Sequence, residues 1–327
     1  MSFLYQAAKP VLRRTARGRL EKGMKDPAAY MTVVRARQEK PLPLKKLHAR
    51  YDFEERSAGG TAFYAMSRPK KNDRRLVLYF FGGGYCIPGN SGDFEFAHDI
   101  SMNTGAEVWL VWYKLFPDAS GYDIAKSAAD VYEEALKSFQ PENISLYGNS
   151  SGAALCFNLC VFLRKYREGI PLPGRIAAHS PSMRIPPNEE EQAFMDEQDK
   201  NDVIIPSGYV NMYTDHPEIF KTGGFAEFAS PVEQDWKGFP KMLVLYGRDE
   251  VFLGYLPGIR KKCKEDNVEL ETFVGPGCHC FCKAGRLPEA GAGRARIYAF
   301  LKNDTEKGGP VPLSVNRALR LNRRQLC

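Results

Sequence analysis

Short, continuous apolar runs alternate along the chain with longer amphipathic stretches. The runs are RLVLYFF (75–81), AEVWLVWY (106–113), NISLYG (143–148), RIAAHS (175–180), KMLVLYG (241–247) and ELETFVG (269–275). They lack the polar–apolar alternation of a half-exposed strand and read as strands buried on both faces. Between them, residues 123–139, 151–166, 255–266 and 293–302 place apolar side chains at helical spacing. Strands and helices in this alternation predict an α/β fold, a mostly parallel sheet with helices on both faces.

Two regions break the alternation. Residues 1 to about 50 are basic and helix-prone, and residues 182–228 are polar and rich in Pro and Gly. The second stretch interrupts the sheet pattern between two strands, yet VIIP (203–206) and YVNMY (209–213) give it enough apolar content to fold. A long insertion of this kind on an α/β core reads as a cap over a site. The expected organisation is N-terminal helices (1–55), a core (56–181 and 229–305), a cap insertion (182–228) and a basic C-terminal tail (306–327).

Composition adds little to this picture, whereas the distribution of charge adds more. The 43% hydrophobic and 26% charged shares are those of an ordinary globular protein. Much of the formal +7 charge sits at the ends, in KPVLRRTARGR (9–19) and NRALRLNRR (316–324), while 188–199 is acidic. Basic ends on a mixed body read as solvated faces, not as a nucleic-acid groove. The tail 311–327 reads as a helix packed on its own domain or a frayed basic end, with a short amphipathic helix for a membrane surface or partner as the alternative. No apolar run reaches membrane-spanning length, and the charges of MSFLYQAAKPVLRR follow its apolar patch, the reverse of a secretory signal. Eight cysteines in such a chain point to reduced thiols and a cytoplasmic location.

The chemistry concentrates in three loops that follow strands. ISLYGNSSGAAL (144–155) places Gly148-x-Ser150-x-Gly152 between a strand and a helix, the context of a nucleophile elbow. FFGGGYCIPG (80–89) follows another strand, and its glycines can turn backbone N–H groups into a cavity as oxyanion donors. GNSGD (89–93) resembles the elbow but lacks the final glycine, with Asp93 in its place, and the strand, so it reads as a loop. GPGCHCFCK (275–283) follows the last strand and offers His279 as the base that a serine nucleophile needs. The partners of such an elbow follow in the order Ser, Asp/Glu, His; His179 comes too early in that order and His216 lies in the insertion. The acid that orients the base falls at the end of KMLVLYGRDEV, where both Asp249 and Glu250 are candidates. Cys278, Cys280 and Cys282 alternate at every second residue with no second pair elsewhere, which is not a zinc pattern, so no metal is assigned.

These residues resemble the hormone-sensitive-lipase-like branch of the α/β-hydrolases, the bacterial carboxylesterase/acetylesterase group. FGGGY is similar to the HGGG[FW] block, WYKLFPD (112–118) to YRLAPE, GNSSG to GDSAG, YGRDEV to G-x-x-[DE]-x-L, and PGCHCF to G-x-x-H-x-F. The resemblance covers roughly residues 65–302, and it implies an α/β-hydrolase fold in which the N-terminal helices (1–55) and the 182–228 insertion form a helical cap over the acyl and alcohol pockets. Residue by residue, it implies Ser150 as nucleophile, His279 as base and Glu250 as acid, with Asp249 as the fallback. It implies the backbone amides of Gly83, Gly84 and Ser151 as oxyanion donors. Three departures stand out: Phe81 for the histidine of HGGG, Asn149 for the aspartate beside the nucleophile, and Phe252 for a leucine. The implied activity is hydrolysis of a small carboxylic ester through an acyl-enzyme, without cofactor or metal. The bulk of Phe80, Phe81 and Tyr85 points to short acyl groups. The rival readings are an amidase or peptide hydrolase with the same triad, and a hydrolase-fold module that binds small molecules without catalysis.

Overall fold

The computed structural model describes residues 2–67, 74–220, 226–285 and 287–302. Its centre is an eight-stranded sheet of β1 (Phe53–Ala58), β2 (Thr61–Met66), β3 (Leu76–Phe80), β4 (Glu107–Trp112), β5 (Ile144–Asn149), β6 (Arg175–His179), β7 (Lys241–Gly247) and β8 (Leu270–Gly275). The spatial order is β1-β2-β4-β3-β5-β6-β7-β8. The β1–β2 and β2–β4 pairs are antiparallel, and every other pair is parallel. The six strands expected from apolar runs are β3 to β8, and β3, β5 and β6 are buried at every position, which explains their unbroken hydrophobicity.

Helices 91–104 and 288–302 pack together on one face, and helices 121–136 and 151–166 pack on the other. The first of these corrects the loop expected at 89–93. Asn90 is an N-cap there, and Asp93 closes a capping box with it. The β1–β2 hairpin also went unseen in the apolar pattern. Four of the six β1 residues are exposed, as suits an edge strand.

The residues outside the sheet core form a roof over its carboxyl end. Helices 3–12, 18–25, 27–38 and 44–48 come from the N-terminal segment, and helix 189–198 with short turns around 209–220 comes from the insertion. A single wide π-type turn at Arg13–Arg17 joins the first two helices. It places Arg17 inward, where its guanidinium donates to the carbonyls of Asp199 and Asp202, both at 2.8 Å, and to Asp199 Oδ2 at 2.6 Å. Gln38 Nε2 ties the third helix down by donating to the carbonyls of Cys86 (2.6 Å) and Phe116 (2.7 Å). Among the described residues no helix is long and apolar enough to cross a membrane. The basic tail expected at 306–327 lies outside the described residues, as do 221–225 of the insertion.

Candidate active site

The carboxyl ends of parallel strands open onto a crevice where α/β proteins place their ligands, and the loops singled out above meet there. Ser150 follows β5 and precedes helix 151–166 with φ 55° and ψ −127°, a backbone conformation that costs a non-glycine residue about 1–3 kcal/mol. The surroundings hold it there, because its N–H donates to the His179 carbonyl at 2.8 Å and its carbonyl accepts from Ala153 N at 2.9 Å. The glycine of the motif has a steric cause. A Cβ on Gly152 would lie 2.2 Å from the Phe80 carbonyl oxygen and 2.3 Å from that of Phe81. Only glycine lets helix 151–166 start this close to β3.

Ser150 Oγ lies 2.9 Å from His279 Nε2, and His279 Nδ1 lies 2.6 Å from Glu250 Oε2. Glu250 is fully buried, and its other oxygen accepts from Ser180 Oγ at 2.9 Å and from the Gly247 amide. Ser180 in turn accepts from Cys280 N at 3.1 Å, so one hydroxyl braces both the carboxylate and the loop carrying His279. Burial works against an imidazolium at His279, but the Cys280 sulfur and the Glu250 carboxylate work for it and prevail. The His279 pKa therefore stands well above that of an ordinary imidazole.

The two candidate acids have different partners. Asp249 turns away from His279 and accepts from Tyr5 OH at 3.1 Å, with Lys9 Nζ at 2.8 Å. It fastens the first N-terminal helix to the core. The three cysteines also divide. Cys278 packs with Tyr5 and Val203 under that helix. Cys282 is buried where a Cβ on Gly293 would meet its sulfur at 2.4 Å. Cys280 is part-exposed beside His279, 4.0 Å from Asn149 Nδ2. His179 is fully buried with its pKa pushed well below 6.5, chiefly by that burial, and His216 lies on the surface near Glu218.

Gly83 and Gly84 have φ values of 146° and 61°. No acceptor among the described residues pairs with their amides, and Ser151 N begins a helix, where amides lack intrahelical partners. The departures from the family pattern are supported locally. The Phe81 ring stacks on Tyr113 at 4.4 Å, and Tyr113 OH donates to the Phe81 carbonyl at 2.7 Å. Asn149 Oδ1 lies 3.1 Å from Tyr79 OH, which is 2.8 Å from the buried Asp93, itself paired with Lys283.

Sequence reading expected a cap from the insertion but named none of the residues it brings to the glycine loop. Tyr213 OH donates to the Gly84 carbonyl at 2.6 Å and lies 3.3 Å from Tyr209 OH. These two hydroxyls occupy the space a Cβ on Gly84 would need. The signal was the Tyr-x-x-x-Tyr spacing of 209–213, which puts both side chains on one side of a helical turn. Also unseen was Asp202, fully buried, with Oδ1 accepting from the amides of Ile204 (2.8 Å) and Ile205 (3.0 Å) and Oδ2 from Val251 (2.9 Å). Burial raises its pKa to about 6, against the opposing pull of His279 and the three amides.

A cavity of about 530 Å³ opens between helices 18–25 and 27–38. Tyr30, Val34, Ile87 and Ile204 line its inner side, and Arg19 and Lys22 stand at its exposed edge. Ile87 donates its amide to the Gly83 carbonyl at 2.9 Å, and Ile204 packs against the cluster containing Cys278. The inner wall thus adjoins both the glycine loop and the loop of His279.

The model of the alpha/beta hydrolase fold family matches residues 77–283. The chain is similar to Esterase LipU of Mycobacterium tuberculosis, 27% identical over 250 residues that cover 72% of this chain and 80% of that protein. It is also similar to the acetyl-hydrolase of Streptomyces hygroscopicus, 24% identical over 185 residues, 56% of this chain and 60% of that one. The crystal structure of EstE5 soaked with p-nitrophenyl butyrate aligns with a TM-score of 0.72 at 21% identity, covering 93% of this chain and 99% of that chain. That structure shares the fold, and the relatives agree with the hormone-sensitive-lipase-like resemblance of the sequence. The chain belongs to the α/β-hydrolase fold family.

Proposed function

We propose that the protein hydrolyses carboxylic esters with small acyl groups, through an acyl-enzyme on Ser150. The observation that carries this reading is the unbroken hydrogen-bonded series Ser150–His279–Glu250 beside glycine-loop amides that no acceptor among the described residues pairs. His279 Nε2 takes the Ser150 proton as Oγ attacks the ester carbonyl. The Gly83, Gly84 and Ser151 amides receive the oxyanion, and Glu250 stabilises the imidazolium and fixes its tautomer. The tetrahedral intermediate collapses, the C–O bond to the alcohol breaks, and His279 returns the proton to the departing oxygen. A water molecule, deprotonated by His279, then releases the acid. His279 must be neutral to begin the cycle, so activity falls as pH drops through its raised pKa.

Short acyl groups suit the buried aromatics Phe80, Phe81 and Tyr85 and the Tyr209 and Tyr213 hydroxyls crowded over Gly84. The acetyl-hydrolase among the relatives points the same way. The alcohol portion would extend toward Ile87 and Ile204. The test is hydrolysis of p-nitrophenyl acetate, butyrate and palmitate, and of matched anilides, by wild type and Ser150→Ala. The expected pattern is acetate and butyrate well above palmitate, anilides slow, and a loss of about 10⁴-fold or more in the variant with unchanged melting. Full activity in Ser150→Ala, or no ester turnover and no fluorophosphonate labelling of Ser150, overturns the reading.

A further inference from the structure

The first helix carries an apolar stripe that no described residue covers. Tyr5 is fully buried against Asp249, whereas Phe3 is 85%, Leu4 56% and Val11 61% exposed. With the exposed Ala7, these positions recur at helical spacing and form one outward face. The helical run continues into Arg13, Arg14, Arg19, Lys22 and Lys25, all exposed. Residues 1–25 contain seven basic side chains and one acidic one, Glu21, whose carboxylate is paired to Arg17 at 2.7 Å. Arg19 and Lys22 of this run also stand at the edge of the 530 Å³ cavity.

An exposed apolar stripe flanked by cations is the chemistry of a helix lying in a lipid interface. Charge decides between the possible occupants. A second copy would bring like charges together, and residues 303–327 carry five basic and two acidic side chains, so they too are positive. We propose that residues 3–25 dock the protein on an anionic lipid surface, with Phe3, Leu4 and Val11 among the headgroups and the cavity edge at Arg19 and Lys22 turned toward the lipid. The basic N-terminal end, read from sequence as a solvated face, then acquires a partner. The docking does not depend on the esterase reading, since a vesicle binds whether or not Ser150 reacts.

The experiment is co-sedimentation of the full chain with vesicles of phosphatidylcholine alone or mixed with phosphatidylglycerol, with circular dichroism melting as the check on folding. The expected result is binding to the mixed vesicles, weakened about tenfold or more by omitting phosphatidylglycerol or by about 0.5 M salt. The triple variant Phe3→Ser/Leu4→Ser/Val11→Ser should lose about tenfold or more. Arg14→Glu/Lys25→Glu should lose at least about 25-fold, about fivefold for each charge removed. Four results overturn the proposal. They are no binding by wild type, equal binding by both folded variants, loss of binding only when 303–327 are deleted, and a concentration-dependent dimer abolished by the triple variant without vesicle binding.

Discussion

Gly152, where helix 151–166 starts against the sheet, and Arg17 in the helical roof each sit against two backbone carbonyls. For Gly152 these are Phe80 and Phe81, at distances that exclude any side chain. For Arg17 they are Asp199 and Asp202, reached by a long side chain across a gap. The contrast extends to both regions as wholes. The strand ends approach so closely that backbone geometry fixes where Ser150 stands. The roof packs apolar side chains such as Val34, Leu47, Val210 and Phe220 into the common core and adds separate polar ties: Arg17, Gln38, Asp249 with Tyr5 and Lys9, and Tyr213 on Gly84. Changes at the strand ends should therefore abolish chemistry, and changes in the roof should adjust stability and rate.

Asp249 and Glu250 put that division to its hardest test, because adjacent carboxylates serve opposite regions. Glu250→Gln removes the charge that supports the His279 cation and leaves the wrong hydrogen-bonding pattern opposite Nδ1. A loss of about 10³–10⁴-fold in kcat is expected, with KM and melting little changed. Asp249→Asn should keep kcat within a few-fold and cost about 1–2 kcal/mol in urea denaturation through the weakened ties to Tyr5 and Lys9. Equal kinetic damage from the two substitutions would erase the distinction.

The same division governs what could be read from sequence. β3 to β7 were legible because burial demands nearly unbroken apolar runs, and the elbow because its steric demand appears as Gly148 and Gly152; β8 is a half-exposed edge strand whose Leu270, Phe273 and Val274 still pack on the core. The choice between Asp249 and Glu250 needed the direction of a side chain, which spacing within one loop does not encode; only the resemblance favoured Glu250. Ser180 was hidden for a related reason, since it acts through a contact 70 residues away in the chain. The roof was least legible. Its ties are single long-range hydrogen bonds, and its helices leave much of their surface in water, so no periodic pattern announces where they dock. The β1–β2 hairpin was lost because an edge strand such as β1 has few buried positions.

Asp202 sharpens the comparison from the roof side. Its folded pKa, about 6, lies above the ordinary 3.8. The folded state therefore holds the proton more tightly than the unfolded chain. The stability from that proton is full below the ordinary carboxylate pKa and is lost as pH rises to about 6. The loss amounts to about 3 kcal/mol. Asn resembles the protonated form, although its amide faces the Val251 N–H less well. Asp202→Asn should thus match wild type near pH 4 and exceed it by about 1–3 kcal/mol at pH 7 in urea denaturation. A difference that does not vary with pH would show that the three backbone amides, not burial, govern this carboxylate.

The smallest effect should come where the two regions touch, at Tyr213→Phe. The substitution keeps the ring against Phe220, 4.8 Å between centroids, and removes only the hydroxyl that donates to the Gly84 carbonyl. One net hydrogen bond is worth about 1 kcal/mol, or roughly a fivefold change in rate if it is felt in the transition state. The Gly84 amide is a proposed oxyanion donor. Loosening the carbonyl of the same residue should therefore lower kcat/KM about fivefold while melting barely moves. The affinity of an alkylboronic acid, whose adduct on Ser150 places an oxygen at the oxyanion position, should fall by the same factor. If kcat/KM and boronate affinity are unchanged and only melting shifts, Tyr213 is roof packing alone. A parallel loss in both means that the roof reaches into the chemistry through the backbone of one glycine.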